Sequence, residues 1–381
     1  MIKKKVELNF LYLSQEDIIN CGVLDMHECV KTIEKGFEVM AKGDYLFGGP
    51  GENEHGIKLW FPEKPRGKNM PTMGPDRRVM AMIGYLGGDF NICGEKWYGS
   101  NVSNPKEYGL PRSIHITVLN DVTTGAPLAI MEGNLLDVMR TGAVPGVVAK
   151  YLARRDSKII AIIGAGVISK TCLMGLSDVL PNLNEVKVFD VVRSKAGRFA
   201  KEMSERLSLK VYDTDSCEEA VINSDVISVA ASGKNPPLIK NEWLRDGSLL
   251  ILSAAIAPIK ELYINNKLVA DDWKMHKKWV SDQEERNKIE PLDTSYSDHA
   301  CAYIDQLIKE KKIQENSILD LHKIIIDRKN GRTNDKEKII FISGGLPMED
   351  LAWSYTIYKN ALKKNIGQKL YLWKEVNWIY K

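Results

Sequence analysis

The stretch Ser157-Lys-Ile-Ile-Ala-Ile-Ile-Gly-Ala-Gly-Val-Ile-Ser-Lys-Thr-Cys-Leu-Met-Gly-Leu176 decides the fold. Lys158 to Ile163 is a near-continuous apolar run rich in β-branched side chains, the pattern of a parallel strand covered on both faces. Gly164-Ala165-Gly166 then turns the chain, and a helix is expected from about Val167. Gly164 permits the tight turn. Gly166 lets a dinucleotide pyrophosphate approach the backbone at the helix N-terminus, where N–H groups and the dipole favour an anion. Ser169 stands where such a fingerprint has its third glycine and is small enough for close helix–strand packing. Similar turns occur in loops that bind nothing, so the flanking sequence has to decide.

Glu185-Val-Lys-Val-Phe-Asp190 reads as a second strand ending in an acid. An acid about 20 residues beyond the glycine turn accepts hydrogen bonds from the adenosine ribose hydroxyls. Asp190 therefore favours NAD, while Arg193, Ser194 and Lys195 leave NADP open through a 2′-phosphate. Further strands are expected over Leu209 to Tyr212, Asn223 to Gly233 and Asp246 to Ala255. Strands alternating with helices at this spacing specify a doubly wound α/β sheet of Rossmann type. Its ligand groups come from the carboxyl ends of the strands: Gly164, Ala165 and Gly166 with the adjoining Val167 and Ile168, then Asp190, Ala231, Ser232 and Ser253.

The chain has 381 residues, a length that suits two domains. Its net charge of +3 is too small to imply a nucleic-acid or membrane partner. The longest uncharged, mostly apolar run, Gly247 to Ile259, is shorter than the ~20 residues that span a bilayer. Met1-Ile-Lys-Lys-Lys-Val-Glu7 lacks the apolar core of a signal peptide. Six scattered cysteines form no CxxC pair and no metal-ligand pattern with the six histidines. The expectation is a cytoplasmic protein with reduced thiols and no bound metal.

Outside the glycine-turn region the signals are weaker. Ser14-Gln-Glu-Asp17 is an N-cap signal, and Met26, Cys29, Val30, Ile33, Phe37 and Met40 recur at helical spacing. Phe47-Gly-Gly-Pro-Gly-Glu-Asn-Glu-His-Gly56 reads either as a surface turn or as a substrate loop carrying Glu54 and His55. Lys96 lies between strand-like segments and beside aromatics. In Ser113 to Asp121, Ile114, Ile116 and Val118 share one strand face, with His115, Thr117 and Leu119 on the other. His115 reads as a hydrogen-bonded strand histidine rather than a base. The helix from Asn134 holds Gly142 and Pro145, so a kink or restart is expected there. At such a break Arg140 and Thr141 would offer a guanidinium fork and free N–H groups to an anion. Residues 261–330 are charged and helix-rich, with the lysines of 274–278 and 309–312 read as solvated faces. After the strand Ile339 to Ile342, the Ser343-Gly344-Gly345 turn opens a helix whose first-turn acids, Glu349 and Asp350, match its dipole.

Together these segments resemble the ornithine cyclodeaminase/μ-crystallin family. The resemblance is carried by Gly94-Glu-Lys96, Asp121-Val-Thr-Thr-Gly-Ala-Pro-Leu-Ala129, Met139-Arg-Thr-Gly-Ala143, Ala149-Lys-Tyr-Leu-Ala-Arg154, Ile163-Gly-Ala-Gly-Val167 and Ser343-Gly-Gly-Leu-Pro-Met-Glu-Asp-Leu351. It covers 75–260 well and 320–355 moderately; 45–75 and 270–315 look like insertions. Within the family the chain is similar to the branch that includes tyramine oxidase B subunits. The resemblance implies a split α+β substrate-binding and dimerisation domain, residues 1–139 and 324–381, around an NAD(P)-binding Rossmann domain, residues 140–323. It also implies a homodimer that transfers hydride between nicotinamide and the Cα–N bond of an amino acid or its imine. On this reading Lys96 and Arg140 are catalytic, meeting the substrate carboxylate and reacting carbon. Thr141 contacts the pyrophosphate. Read from the residues alone, the turn that carries Gly345 either lies over the nicotinamide or is a plain helix cap. Two alternatives stay open: a nucleotide-binding protein of the μ-crystallin type without catalysis, and a subunit of an amine-oxidising complex.

One departure stands out. Where cyclodeaminases carry a general acid/base aspartate after the fifth strand, this chain has Ser253-Ala-Ala-Ile-Ala-Pro-Ile-Lys-Glu-Leu262, which puts Ala255 or Ile256 in its place. A positioned acid/base is worth about 10²–10⁴-fold in rate. Lys96 is the expected substitute, its pKa lowered by burial beside Trp97 and Tyr98, with Glu54 and His55 next.

Overall fold

The computed structural model describes residues 7–74, 76–233, 235–289 and 300–375. Residues 1–6 of the N-terminal segment, Pro75, Lys234, residues 290–299 and residues 376–381 lie outside these. The chain divides into two compact units. One comprises Met1–Asp25, Gly43–Met139 and Pro347–Lys381; the other comprises Met26–Lys42 and Arg140–Leu346.

The first unit is built on β1 (Leu8–Leu13), β2 (Tyr45–Phe47), β3 (Ile57–Trp60), β4 (Arg78–Leu86), β5 (Ile92–Ser100), β6 (Ser113–Asp121), β7 (Pro127–Glu132) and, from the end of the chain, β16 (Gln368–Trp373). Their order is β16-β1-β7-β6-β5-β4-β2, with β3 also on β4. All neighbours are antiparallel except β1 and β7. Ser14 and Asp17 form the expected capping box at the helix Gln15–Asn20. On β5 and β6 the inward face is the polar one: Lys96, Tyr98, Ser100, His115 and Thr117 are buried, while Trp97, Ile114 and Ile116 are exposed.

The helix Pro347–Lys364 covers that inward face. It comes close because Gly84 and Gly94 pair across β4 and β5 and leave a bare patch. A Cβ on Gly84 would stand 3.2 Å from Pro347 Cβ, and one on Gly94 would stand 3.1 Å from Leu351 Cδ2. This contact places Asp350 over the sheet.

The second unit holds β8 (Ile159–Ile163), β9 (Glu185–Phe189), β10 (Lys210–Asp213), β11 (Val226–Val229), β12 (Leu249–Leu252), β13 (Lys267–Ala270), β14 (Leu319–Asp320) and β15 (Ile339–Ile342). Every pairing is parallel, in the order β10-β9-β8-β11-β12-β15-β13-β14. The strand order reverses between β8 and β11, the crevice where such sheets bind ligands. The expected α/β architecture, a doubly wound parallel sheet plus a second sheet domain, is the one observed.

Four expectations need correction. β15 pairs with β12 and β13, so residues 324–346 cluster with the parallel sheet rather than with the other unit. Residues 26–42 cluster with it as well, where Glu34 accepts hydrogen bonds from Lys150 and Tyr151. The region read as helix-rich from 261 to 330 also supplies two strands, β13 and β14, set among charged residues rather than in a longer apolar run. Finally, of the expected kink or restart the restart does not occur: Asn134–Leu152 is one helix with Pro145 inside it. Gly142 and Gly146 face the helix Val167–Val179 so closely that a Cβ on either would stand 2.4 Å from Thr171 or 2.7 Å from the Gly175 carbonyl. That tight packing holds the segment helical despite the proline, so the free N–H groups expected at Arg140 and Thr141 are not created by a break.

Candidate functional sites in the two units

In the first unit the site is centred on Lys96, only 3% exposed. Its Nζ stands 2.7 Å from Asp137 Oδ1 and 2.9 Å from Asp350 Oδ2. Strand alternation points Lys96 inward with Tyr98, whose ring centroid is 5.7 Å from Nζ, and turns Trp97 to the opposite face. The expectation that Trp97 helps bury Lys96 is therefore wrong. Two carboxylates beside Nζ make the surroundings differ from the apolar pocket anticipated. His115 stacks on Tyr98 at 4.8 Å, and its Nδ1 is 3.8 Å from Asp137 Oδ2. The histidine read as a strand residue thus borders the lysine cluster.

Nothing local in the sequence marks Asp137 or Asp350 as a site residue. Asp350 looked like a helix-dipole acid, and only the docking of its helix on the glycine patch reveals its partner. Glu54 and His55 lie in the loop before β3, where Glu54 N–H donates to the Gly48 carbonyl and its side chain folds over Gly49. Gly56 seats the end of the loop on β4, where a Cβ would meet Met80 and Ala81.

In the second unit the turn after β8 has the shape its sequence implies. Gly164 has φ +96°, and a Cβ there would stand 2.8 Å from Ala231 Cα, so no other residue fits. Gly166 is the N-cap of the helix Val167–Val179 and brings no side chain to satisfy its first N–H groups. A Cβ on Gly166 would meet nothing within 4 Å, and in the first helical turn Val167 is exposed and Ile168 half-buried. Asp190 follows β9; its carboxylate accepts from Ala165 N–H and from Val192 N–H, both at 2.8 Å. Ala231 and Ser232 follow β11, Ser253 follows β12, and Ser169 is buried. The donor-lined helix start, the bare glycine and the acid on the neighbouring strand fit a dinucleotide. Arg193 is engaged by Asp215 at 2.6 Å and Asp213 at 3.5 Å.

Arg140 is buried, and a Cβ on Gly345 would stand 2.8 Å from its Nη1. Gly345 also has φ +77°, so the position excludes a side chain twice over. The fifth-strand end has no acid: Ile256 is buried in the apolar core, and Ala255 cannot carry a proton.

Residues 20–365 match the model of the ornithine cyclodeaminase/mu-crystallin family. The chain belongs to this family. Among its relatives, the N-((2S)-2-amino-2-carboxyethyl)-L-glutamate dehydrogenase of Staphylococcus aureus is 27% identical over 95% of this chain and 98% of its own. The alanine dehydrogenase of Archaeoglobus fulgidus is 28% identical over 94% and 98%. Of the solved ornithine cyclodeaminase/mu-crystallin-type structures, the Thermococcus litoralis Delta(1)-pyrroline-2-carboxylate reductase, in complex with NADH and L-proline, superposes with a TM-score of 0.77. It is 29% identical and covers 95% of this chain and all of its own (100%). An archaeal alanine dehydrogenase dimer with bound NAD gives 0.74 at 26% identity, covering 96% and 100%. Among the described residues of this family member, no helix is long and apolar enough to cross a membrane.

Proposed function

We propose that the chain is an NAD(P)-dependent oxidoreductase acting at the Cα–N bond of an amino acid or its imine. The observation that carries this reading is Lys96, a buried ammonium held by two carboxylates, because nucleotide binding alone has no use for it. Gly164, Gly166 and Asp190 would hold the dinucleotide, with Ala165, Val167, Ile168, Thr141, Ala231, Ser232 and Ser253 around it. NAD is favoured over NADP, since Asp190 suits a ribose diol and Arg193 is already occupied by two acids. When bound, the nicotinamide supplies the hydride acceptor or donor.

The residues of the chain do the rest. Arg140 binds the substrate carboxylate through its planar fork. In the reducing direction Lys96 gives a proton to the substrate nitrogen; in the oxidising direction the amino proton leaves through Lys96 toward Asp137 and Asp350. Glu54 and His55 are the candidates for contacting the substrate side chain. Lyase chemistry of the cyclodeaminase kind would use the same groups in both directions. The homodimer is assigned to the open face of the first unit's sheet, where Trp97 opposes Ile116 and the exposed Ile83 and Ile114 lie close by.

Nicotinamide absorbance followed across a panel of amino acids with NAD⁺, and of 2-oxo acids with ammonia and NADH, tests the reading. Turnover abolished in Lys96→Ala with NADH affinity retained supports it; silence of the wild type across both panels sinks it. A second reading, a nucleotide-binding protein without catalysis, is favoured by the absence of an acid at Ala255 and Ile256, and predicts NADH binding with that silence. The remaining alternative, a subunit of an amine-oxidising complex, predicts a second polypeptide that co-purifies.

A further inference from the structure

Asp271 follows β13 at the carboxyl edge of the parallel sheet and is fully buried; so is His276, in the first turns of the helix Trp273–Ile289. The carboxylate meets four partners. Oδ1 lies 2.7 Å from His276 Nε2 and accepts from Asp272 N–H at 2.8 Å. Oδ2 accepts from Gly344 N–H at 2.6 Å and Gly345 N–H at 3.1 Å. Half of its acceptor capacity is thus spent on the turn that follows β15. That turn is confined on both sides. A Cβ on Gly344 would stand 2.6 Å from Met275 Cε and 3.0 Å from His276 Cε1, while one on Gly345 would stand 2.8 Å from Arg140 Nη1.

A buried ion pair seldom outperforms apolar packing of the same volume, because both charges must be desolvated. The strand ends of a parallel sheet do not require one. We propose that Asp271 and His276 are positioning residues for Arg140. His276 holds the carboxylate in the rotamer that aims Oδ2 at two consecutive N–H groups. Those bonds pin the Gly344–Gly345 turn, and the bare Cα of Gly345 forms the wall against which the guanidinium rests. Freed of the dyad, the turn relaxes and Arg140 loses a wall. The catalytic consequence rests on the reading of Arg140 as the carboxylate-binding group; the geometric consequence does not.

Two variants of the full-length protein test this. His276→Gln removes the charge on the ring, and Gly345→Ala puts a Cβ against the guanidinium while keeping both members of the dyad. The probes are NADH and whichever of L-alanine, L-proline, L-ornithine and L-glutamate the wild type oxidises. Losing one charge-assisted hydrogen bond to the carboxylate costs roughly tenfold in binding, so each variant is expected to raise KM for the amino acid about tenfold or more. In each, kcat and NADH affinity should change less than about threefold, a split that general loosening of the fold would not produce. Crystal structures of the variants should show the Arg140 guanidinium displaced from Gly345. An unchanged KM in Gly345→Ala, or an Arg140 that stays in place in either variant, overturns the proposal. Should the wild type oxidise none of the probes, the functional reading fails, and the position of Arg140 still decides the dyad's role.

Discussion

Lys96 and Asp350 come from a strand in the first part of the chain and a helix near its end, yet Nζ and Oδ2 stand 2.9 Å apart. Asp137 closes the cluster at 2.7 Å. Lys96 is, with Arg140, a catalytic candidate legible in the sequence; the two acids that flank it are not.

Asp350→Asn keeps the shape of that site and removes one charge. The expected result is a loss of kcat/KM on the order of 10²-fold, the scale of an acid/base contribution, with NADH affinity retained. Steady-state kinetics beside calorimetric titration reads it. Wild-type kcat/KM in the variant would exclude Asp350 from proton transfer.

At the cofactor turn, Gly164→Val should abolish nucleotide binding, because φ is +96° and a Cβ would lie 2.8 Å from Ala231 Cα. Asp190→Ala should weaken NADH by roughly tenfold, the worth of one charge-assisted hydrogen bond. It should weaken NADPH less, since the lost acid repels a 2′-phosphate. Equal losses for the two nucleotides would contradict the role given to Asp190.

Stability should fall on the alkaline side. Burial, the largest single influence on His276, opposes its charge, but the attraction and hydrogen bond of Asp271, with Cys301 beside the ring, raise it above the ordinary imidazole range. Burial likewise opposes the Asp271 charge, and His276 with the Gly344 and Asp272 N–H groups outweighs it and holds the carboxyl low. A raised histidine stabilises fully below its unfolded value of about 6.5, and that contribution drains away as pH rises toward the folded value. A lowered aspartate stabilises above about 3.9 and loses its share as pH falls below that. Thermal melts should therefore show Tm declining above about pH 6.5, with a shallower decline in His276→Gln. Parallel slopes in the two proteins would show that His276 does not titrate in this way.

Trp97 is 46% exposed on the open sheet face, opposite Ile116. Trp97→Glu should convert the proposed homodimer to monomer in sedimentation at micromolar concentration, since a charge there faces apolar surface in the partner. A dimer that survives the change must use another face.

Local signals were readable wherever their cause was local. The apolar run of β8, the glycine turn and the acid ending β9 depend on period and spacing within some thirty residues, and the structure places them as the sequence implied. β13 and β14 lack the longer apolar run that marks β11 and β12: Lys267 and Asp271 bound the three apolar residues of β13, and β14 has only two residues. Helical spacing offered a usable clue at His276: in the lysine-rich run, Lys274 and Lys277 lie outward and Met275 and His276 inward. Reading the run by composition, as a solvated face, hid it.

The sequence alone determined the parallel sheet, the dinucleotide turn, the family and the loss of an acid at Ala255 and Ile256, because each is written in consecutive residues. Only the tertiary structure decided which acids Lys96 meets, why Trp97 does not join it, and what Gly345 touches. Those contacts depend on how closely one element approaches another, and here glycines at 84, 94 and 345 set that distance by having no side chain to prevent it.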